Sequence, residues 1–96
     1  MDDTQLKRSL QSIGLKCFIK YFESFENKNI EDDDLIDGLM KVENYDEGGA
    51  KIRVSQSRRI IKEDRVADAL NIIIESQKIE EWVKSKAQSI KSRIQS

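Results

Sequence analysis

No proline and only four glycines interrupt these 96 residues, so hardly any position forces the backbone out of a helix. Apolar residues recur at steps of three and four through most of the chain, the period of one helical face. Together these features predict an all-α fold. Hydrophobic residues make up 38% and charged residues 36% of the composition. That balance supports one modest core, and the length is that of one ordinary domain.

The periodicity places the helices. Leu6, Leu10 and Ile13 define a first helix over about 4 to 13, which Gly14 breaks. Phe18, Ile19, Phe22 and Phe25 form an apolar stripe on a second helix around 16 to 26, with Tyr21 at its edge and Lys16, Lys20, Glu23 and Glu26 opposite. Rings at this spacing read as core rather than as a base-stacking platform, which needs exposed rings beside basic residues. Glu31, Asp32, Asp33 and Asp34 then lead into Leu35, Ile36, Leu39 and Met40, a helix over about 32 to 42. Carboxylates in a first turn complement the positive end of the helix dipole, a structural reason for the acidic run. No window has the alternating ligands, sixth-position Gly and twelfth-position Glu of an EF-hand calcium loop.

A turn follows over residues 43 to 49, where Asp46 is placed to cap a helix running from about 46 or 47 to 62. At 100° per residue Ala50, Val54, Ser57 and Ile61 share its inward stripe, Lys51, Ser55, Arg59 and Lys62 share the outward one, and Arg58 flanks it. Ile52 lies at the edge of this basic face, where an apolar residue suits a contact surface better than solvent. Glu63 and Asp64 are candidate caps for a buried helix carrying Val66, Ala69, Leu70 and Ile73, with Ile72 and Ile74 beside them. A last amphipathic helix carries Ile79, Val83, Ala87, Ile90 and Ile94, flanked by Trp82, with Lys84, Lys86, Lys91 and Arg93 around its polar side. The expected architecture is a compact five- or six-helix domain over residues 1–76 and a C-terminal amphipathic helix over 77–96, docked or projecting.

Catalysis has few residues to draw on. The chain has no histidine, one cysteine and no Gly-rich phosphate loop, so the usual general base, a zinc site and a disulfide framework are all missing. The expectation is a non-enzymatic protein without cofactor or metal. Cys17, among Leu15, Phe18 and Ile19, reads as a small buried hydrophobe in a reducing compartment. The opening MDDTQLKRS has no apolar run of signal-peptide length, and no segment approaches the roughly 20 apolar residues of a membrane span. A soluble, cytoplasmic domain with no membrane partner is expected.

Charge is unevenly spread along the chain. From Glu23 to Glu47 ten acidic residues face two basic ones, and from Gly48 to Arg65 six basic residues face two acidic ones, although the net charge is −1. A basic helix next to an acidic segment can serve as a phosphate-contacting face, pair with that segment, or associate with another molecule.

The stretch from Asp46 to Glu63 resembles the recognition helix in the promoter-reading domain of bacterial sigma factors and related helix-turn-helix regulators. Asp46, Glu47, Gly48, Lys51, Arg53, Val54, Ser55, Arg58 and Arg59 stand at the corresponding places. The resemblance implies a helix-turn-helix-like central pair, about 32 to 42 and 46 to 62, packed on the aromatic helix. It further implies a small nucleic-acid-binding or regulatory module in which Lys51, Ser55, Arg58, Arg59 and Lys62 meet phosphates and base edges in the major groove. A looser likeness, carried by Ser12-Ile13-Gly14-Leu15, the aromatic stripe, and Leu35, Ile36 and Leu39, is to sterile-alpha-motif domains. That likeness implies instead a protein–protein interaction module, an adaptor, inhibitor or self-associating domain, with opposed acidic (23–47) and basic (48–65) surfaces. Asp32, Asp33, Asp34 and Trp82 are its candidate partner-binding residues.

Overall fold

At the N-terminus the chain closes a capping box: the Asp2 carboxylate accepts from the Gln5 backbone N–H at 2.8 Å, and the Asp2 N–H donates to the Gln5 side chain at 3.2 Å. Helix α1 (Asp3–Ile13) follows. The computed structural model describes residues 1–95, and among them α1 is the first of seven helices and no strand occurs. Gly14, at φ 88°, ends α1 as its position in the sequence predicts, and α2 (Leu15–Lys20) starts immediately.

The single aromatic helix expected over 16 to 26 is two short ones, α2 and α3 (Phe22–Glu26), which brings the count to seven rather than five or six. Tyr21 leaves the helical region at φ −111°, ψ 18°, yet its N–H still donates to the Cys17 carbonyl at 3.1 Å and its carbonyl accepts from Phe25 at 3.0 Å. The break therefore bends the ladder without ending it. Phe18, Phe22 and Phe25 all stay buried, and the first two rings meet edge-on at 5.6 Å.

Helix α4 (Asp32–Glu43) opens with three aspartates in its first turn and closes at Asn44 in the left-handed region, φ 60°. Asn44–Asp46 connect it to α5 (Glu47–Lys62), the longest helix, which packs against α1, α3 and α4. Asp46 caps it as expected, accepting from the Gly49 N–H at 2.6 Å. α5 buries Ala50, Val54, Ser57 and Ile60. The sequence reading placed Ile61 in this stripe, but Ile60 is fully buried and Ile61 only half, because the stripe steps three residues after Ser57 instead of four.

Glu63 and Asp64 do not cap the next helix. Asp64 is the left-handed turn residue at φ 58°, and Arg65 precedes α6 (Val66–Glu75) without a side-chain cap bond. The Glu63 carboxylate accepts instead from the Met1 amino group at 2.8 Å and from Arg59 at 2.6 Å, contacts that hold it well below the usual carboxylate range, at about 2.

α7 (Glu81–Gln95) docks on α6 and α2, burying Val83, Ala87 and Ile90. Two residues expected on its polar side reach across to the aromatic helices: Lys86 pairs with Glu23 at 2.9 Å and Arg93 with Glu26 at 3.3 Å. Val83, Ala87 and Ile90 join the same buried cluster as Leu70 and Ile73 of α6. The radius of gyration, 12.6 Å, is that of a compact chain of this length. Among the described residues no helix is long and apolar enough to cross a membrane.

The α5 start crowds one glycine and not its neighbour. A Cβ on Gly49 would lie 2.9 Å from the Asp46 carboxylate and 3.0 Å from the Arg53 guanidinium, whereas one on Gly48 would meet Asp46 at an ordinary 3.9 Å. Gly49→Ala is expected to lower stability by about 1–2 kcal/mol through loss of the cap. Gly48→Ala is expected to be neutral or to stabilise by up to about 1 kcal/mol through helix propensity. Urea denaturation of the two variants checks both signs.

Acid unfolding tests the Glu63 contacts. Because its carboxyl is depressed to about 2 in the folded chain, the stability it contributes is complete above its unfolded value of roughly 4.3 and is lost as pH falls from there toward 2. Glu63→Gln should flatten the stability-versus-pH curve over that window; an unchanged acid limb contradicts the assignment.

Candidate functional site

The outward stripe of α5 carries Ile52, Ser55, Arg59 and Lys62, with Lys51 toward the α4 side. What each side chain touches decides what this face can bind. Lys51 is exposed and pairs with Glu47 one turn back at 2.9 Å. Its pKa is raised, mainly by that hydrogen bond, and the charge of Asp33 adds to the effect, so the start of α4 lies beside the basic helix. Arg59 pairs with Glu63 while its side chain remains 49% exposed. Ser55 and Lys62 are exposed and have no partner among the described residues.

Arg58 behaves differently from the other four. Its side chain is only 24% exposed. Its Nε donates to the Phe25 carbonyl at 3.2 Å, Nη1 to the Asp32 carboxylate at 2.5 Å, and Nη2 to the carbonyls of Asn27 at 3.0 Å and Ile30 at 2.7 Å. All three nitrogens are engaged in organising the C-terminus of α3 and the turn into α4. A planar fork of five donors can satisfy several carbonyls at once, which an ammonium cannot do in the same geometry. Arg53, one of the residues of the sigma-factor resemblance, is also turned inward: it donates to the Gly49 carbonyl at 3.0 Å and stacks 3.8 Å over the Tyr45 ring.

The structure therefore brings Ser55, Arg59 and Lys62 together around an open cleft of about 450 Å³ that Asp32, Arg58 and Glu63 complete. Lys62 also borders a second cleft, of about 590 Å³, together with Lys28. Sequence reasoning missed Lys28, because it lies outside any periodic segment and reaches the site only through the turn that Arg58 holds.

Of the acidic candidates, Asp32 is committed to Arg58, while Asp33 and Asp34 are exposed without an ion pair among the described residues. Trp82 stands elsewhere. Its indole N–H donates to Glu80 at 2.5 Å, Lys16 lies 5.8 Å over its ring, and Lys16 and Glu80 pair at 3.2 Å, a small cluster where α7 starts against α2. No side chain of α4 takes part in it. Among the described residues no group of three or more His, Cys, Asp or Glu is placed to hold a metal ion. Cys17 is buried and its thiol pKa is raised, chiefly by desolvation.

No family model matches the chain, and no curated protein or solved structure matches it significantly.

Arg58→Ala is expected to cost about 2–3 kcal/mol, since hydrogen bonds to a charged donor are lost and several carbonyls are left unpaired. Arg58→Lys should recover only part of this, and Lys62→Ala should stay within about 0.5 kcal/mol. Equal effects for Arg58→Ala and Lys62→Ala in urea denaturation would contradict the structural role.

Proposed function

We propose that this chain is a protein-interaction module that acts by binding rather than by catalysis, docking a partner on the outer face of α5 and the adjoining start of α4. The carrying observation is that α5's basic residues are mostly matched within the chain: Lys51 to Glu47, Arg53 to Gly49 and Tyr45, Arg58 to Asp32 and backbone carbonyls, Arg59 to Glu63. A phosphate-binding face draws its affinity from uncompensated cations, and here carboxylates pair with three of the five, Lys51, Arg58 and Arg59. At the edge of this face Ile52 is 50% exposed. An apolar residue beside mixed charge suits a protein–protein contact better than solvent. Such a face reads charge pattern as well as shape, with Asp33 available to a basic partner group and Lys62 to an acidic one.

Nucleic-acid binding is the second reading, favoured by the shared cleft of Ser55, Arg59 and Lys62 and by Lys28, which lines a second cleft with Lys62. In that reading α4 and α5, joined by Asn44–Asp46, act as a helix-turn-helix-like pair. Arg58 contributes less to that contact set than the sequence implies, because most of its donors are already engaged within the chain.

The two are separated by one pair of experiments. Labelled duplex DNA is titrated with the protein at about 50 and 200 mM salt, where phosphate contacts weaken steeply. In parallel, nuclease-treated cell extract is passed over immobilised wild-type and Ile52→Asp protein. The proposal expects no salt-dependent DNA binding and a protein species retained by wild type and lost with Ile52→Asp. DNA binding that falls with salt and disappears in Arg59→Glu/Lys62→Glu would replace it with the second reading.

A further inference from the structure

A second surface lies on another side of α4. Between α4 and the α2–α3 pair, Tyr21, Phe25, Leu35, Gly38, Leu39 and Val42 border an open groove of about 180 Å³. Small-molecule sites run to roughly 300–1,000 Å³, so this groove has the size for a side chain rather than a cofactor. Gly38 is the residue that the interior does not explain. It sits in the middle of α4, where glycine is the poorest helix former after proline, and a Cβ built on it meets nothing within 4 Å. No packing inside the molecule requires its absence; a foreign backbone approaching the helix closely would. Val42, one turn further on, is 67% exposed, more than any other large hydrophobic residue described. At the opposite end Asp34 lines the groove, and it, Glu31 and Asp33 have no ion pair among the described residues.

We infer that this groove seats a basic amphipathic helix of a partner protein. One aliphatic side chain enters beside Gly38 and Val42, and a lysine or arginine about one turn away meets Asp34, which is itself one helical turn from Gly38. The sign of the partner follows from charge: Asp34 in the groove and Glu31 three residues before it, neither ion-paired among the described residues, favour a cationic helix and repel an anionic one. The inference goes beyond the α5 contact face and does not rest on it.

The test uses the ¹⁵N-labelled full chain and a synthetic amphipathic helix of leucine and lysine, about 14 residues or roughly four turns long, with a leucine–glutamate helix of the same pattern as control. Saturable binding of the leucine–lysine helix is expected, with amide shifts centred on Tyr21, Leu35, Gly38 and Val42. Binding should weaken by about tenfold or more in Gly38→Leu, which fills the groove, and in Asp34→Lys, as for loss of a central contact. Gly38→Leu should at the same time keep or raise the unfolding midpoint, so that loss of binding is not loss of fold. Absence of binding, equal binding of the glutamate helix, or binding indifferent to Gly38→Leu overturns the proposal. Loss in Ile52→Asp with full retention in Gly38→Leu overturns it too, while leaving the α5 face as the docking surface. Light scattering of the protein alone covers a second copy as occupant: self-association abolished by Gly38→Leu would put this chain, not a foreign helix, in the groove and overturn the assignment.

Discussion

The Arg58 guanidinium joins parts of the chain that local structure alone would leave loose. α3 is five residues long and ends at Asn27, and the turn to Asp32 contains no helix or strand of its own. A helix that short is unstable in isolation, and its last carbonyls need donors. Arg58 supplies them from the middle of α5, reaching the carbonyls of Phe25, Asn27 and Ile30 and the first carboxylate of α4 together. Because α5 also packs along α1 and α4, this one side chain transmits the position of the central helix to the start of α4. Both candidate surfaces depend on it, since each borrows residues from α4.

Local signals were legible in the sequence where one residue type does one job. Gly14 ends α1, Asp46 caps α5, and the phenylalanines at steps of three and four are core. Each follows from backbone conformation, a side-chain oxygen within three residues, or a helical face. The break at Tyr21 was not legible, because Lys20, Tyr21 and Phe22 contain no helix breaker. Nor was the choice of Ile60 over Ile61, adjacent residues of one type whose burial is set by neighbouring helices rather than by α5's own periodicity. Arg58 was placed on an outward flank because a helical wheel gives a direction and not a partner. Its partners lie 26 to 34 residues away, and no local pattern encodes them.

Charge blocks along a chain are likewise a poor guide to charge in space. The acidic stretch before residue 48 and the basic stretch after it look like two opposed poles, yet the fold lays one along the other. Asp32 meets Arg58, Glu47 meets Lys51, and the charge of Asp33 is felt at Lys51. Exposed pairs of this kind add little stability, but each sets an acidic group beside a basic one. What survives is a short-range pattern, suited to discriminating among close neighbours more than to attracting distant phosphate.

Folding requirements account for most of the residues that break a local rule. Gly14 and Gly49 are needed by a left-handed turn and a crowded cap, and the left-handed Asn44 allows the tight return into α5. Gly38, Val42 and Ile52 differ, because nothing inside the chain compensates their cost: the glycine has open space above it and the two aliphatic residues are at least half exposed. A sequence shaped for stability alone would place alanine or a charged helix former at each of these positions. That they lie on α4 and α5, beside unpaired carboxylates and the free Lys62, fits surfaces completed by another molecule.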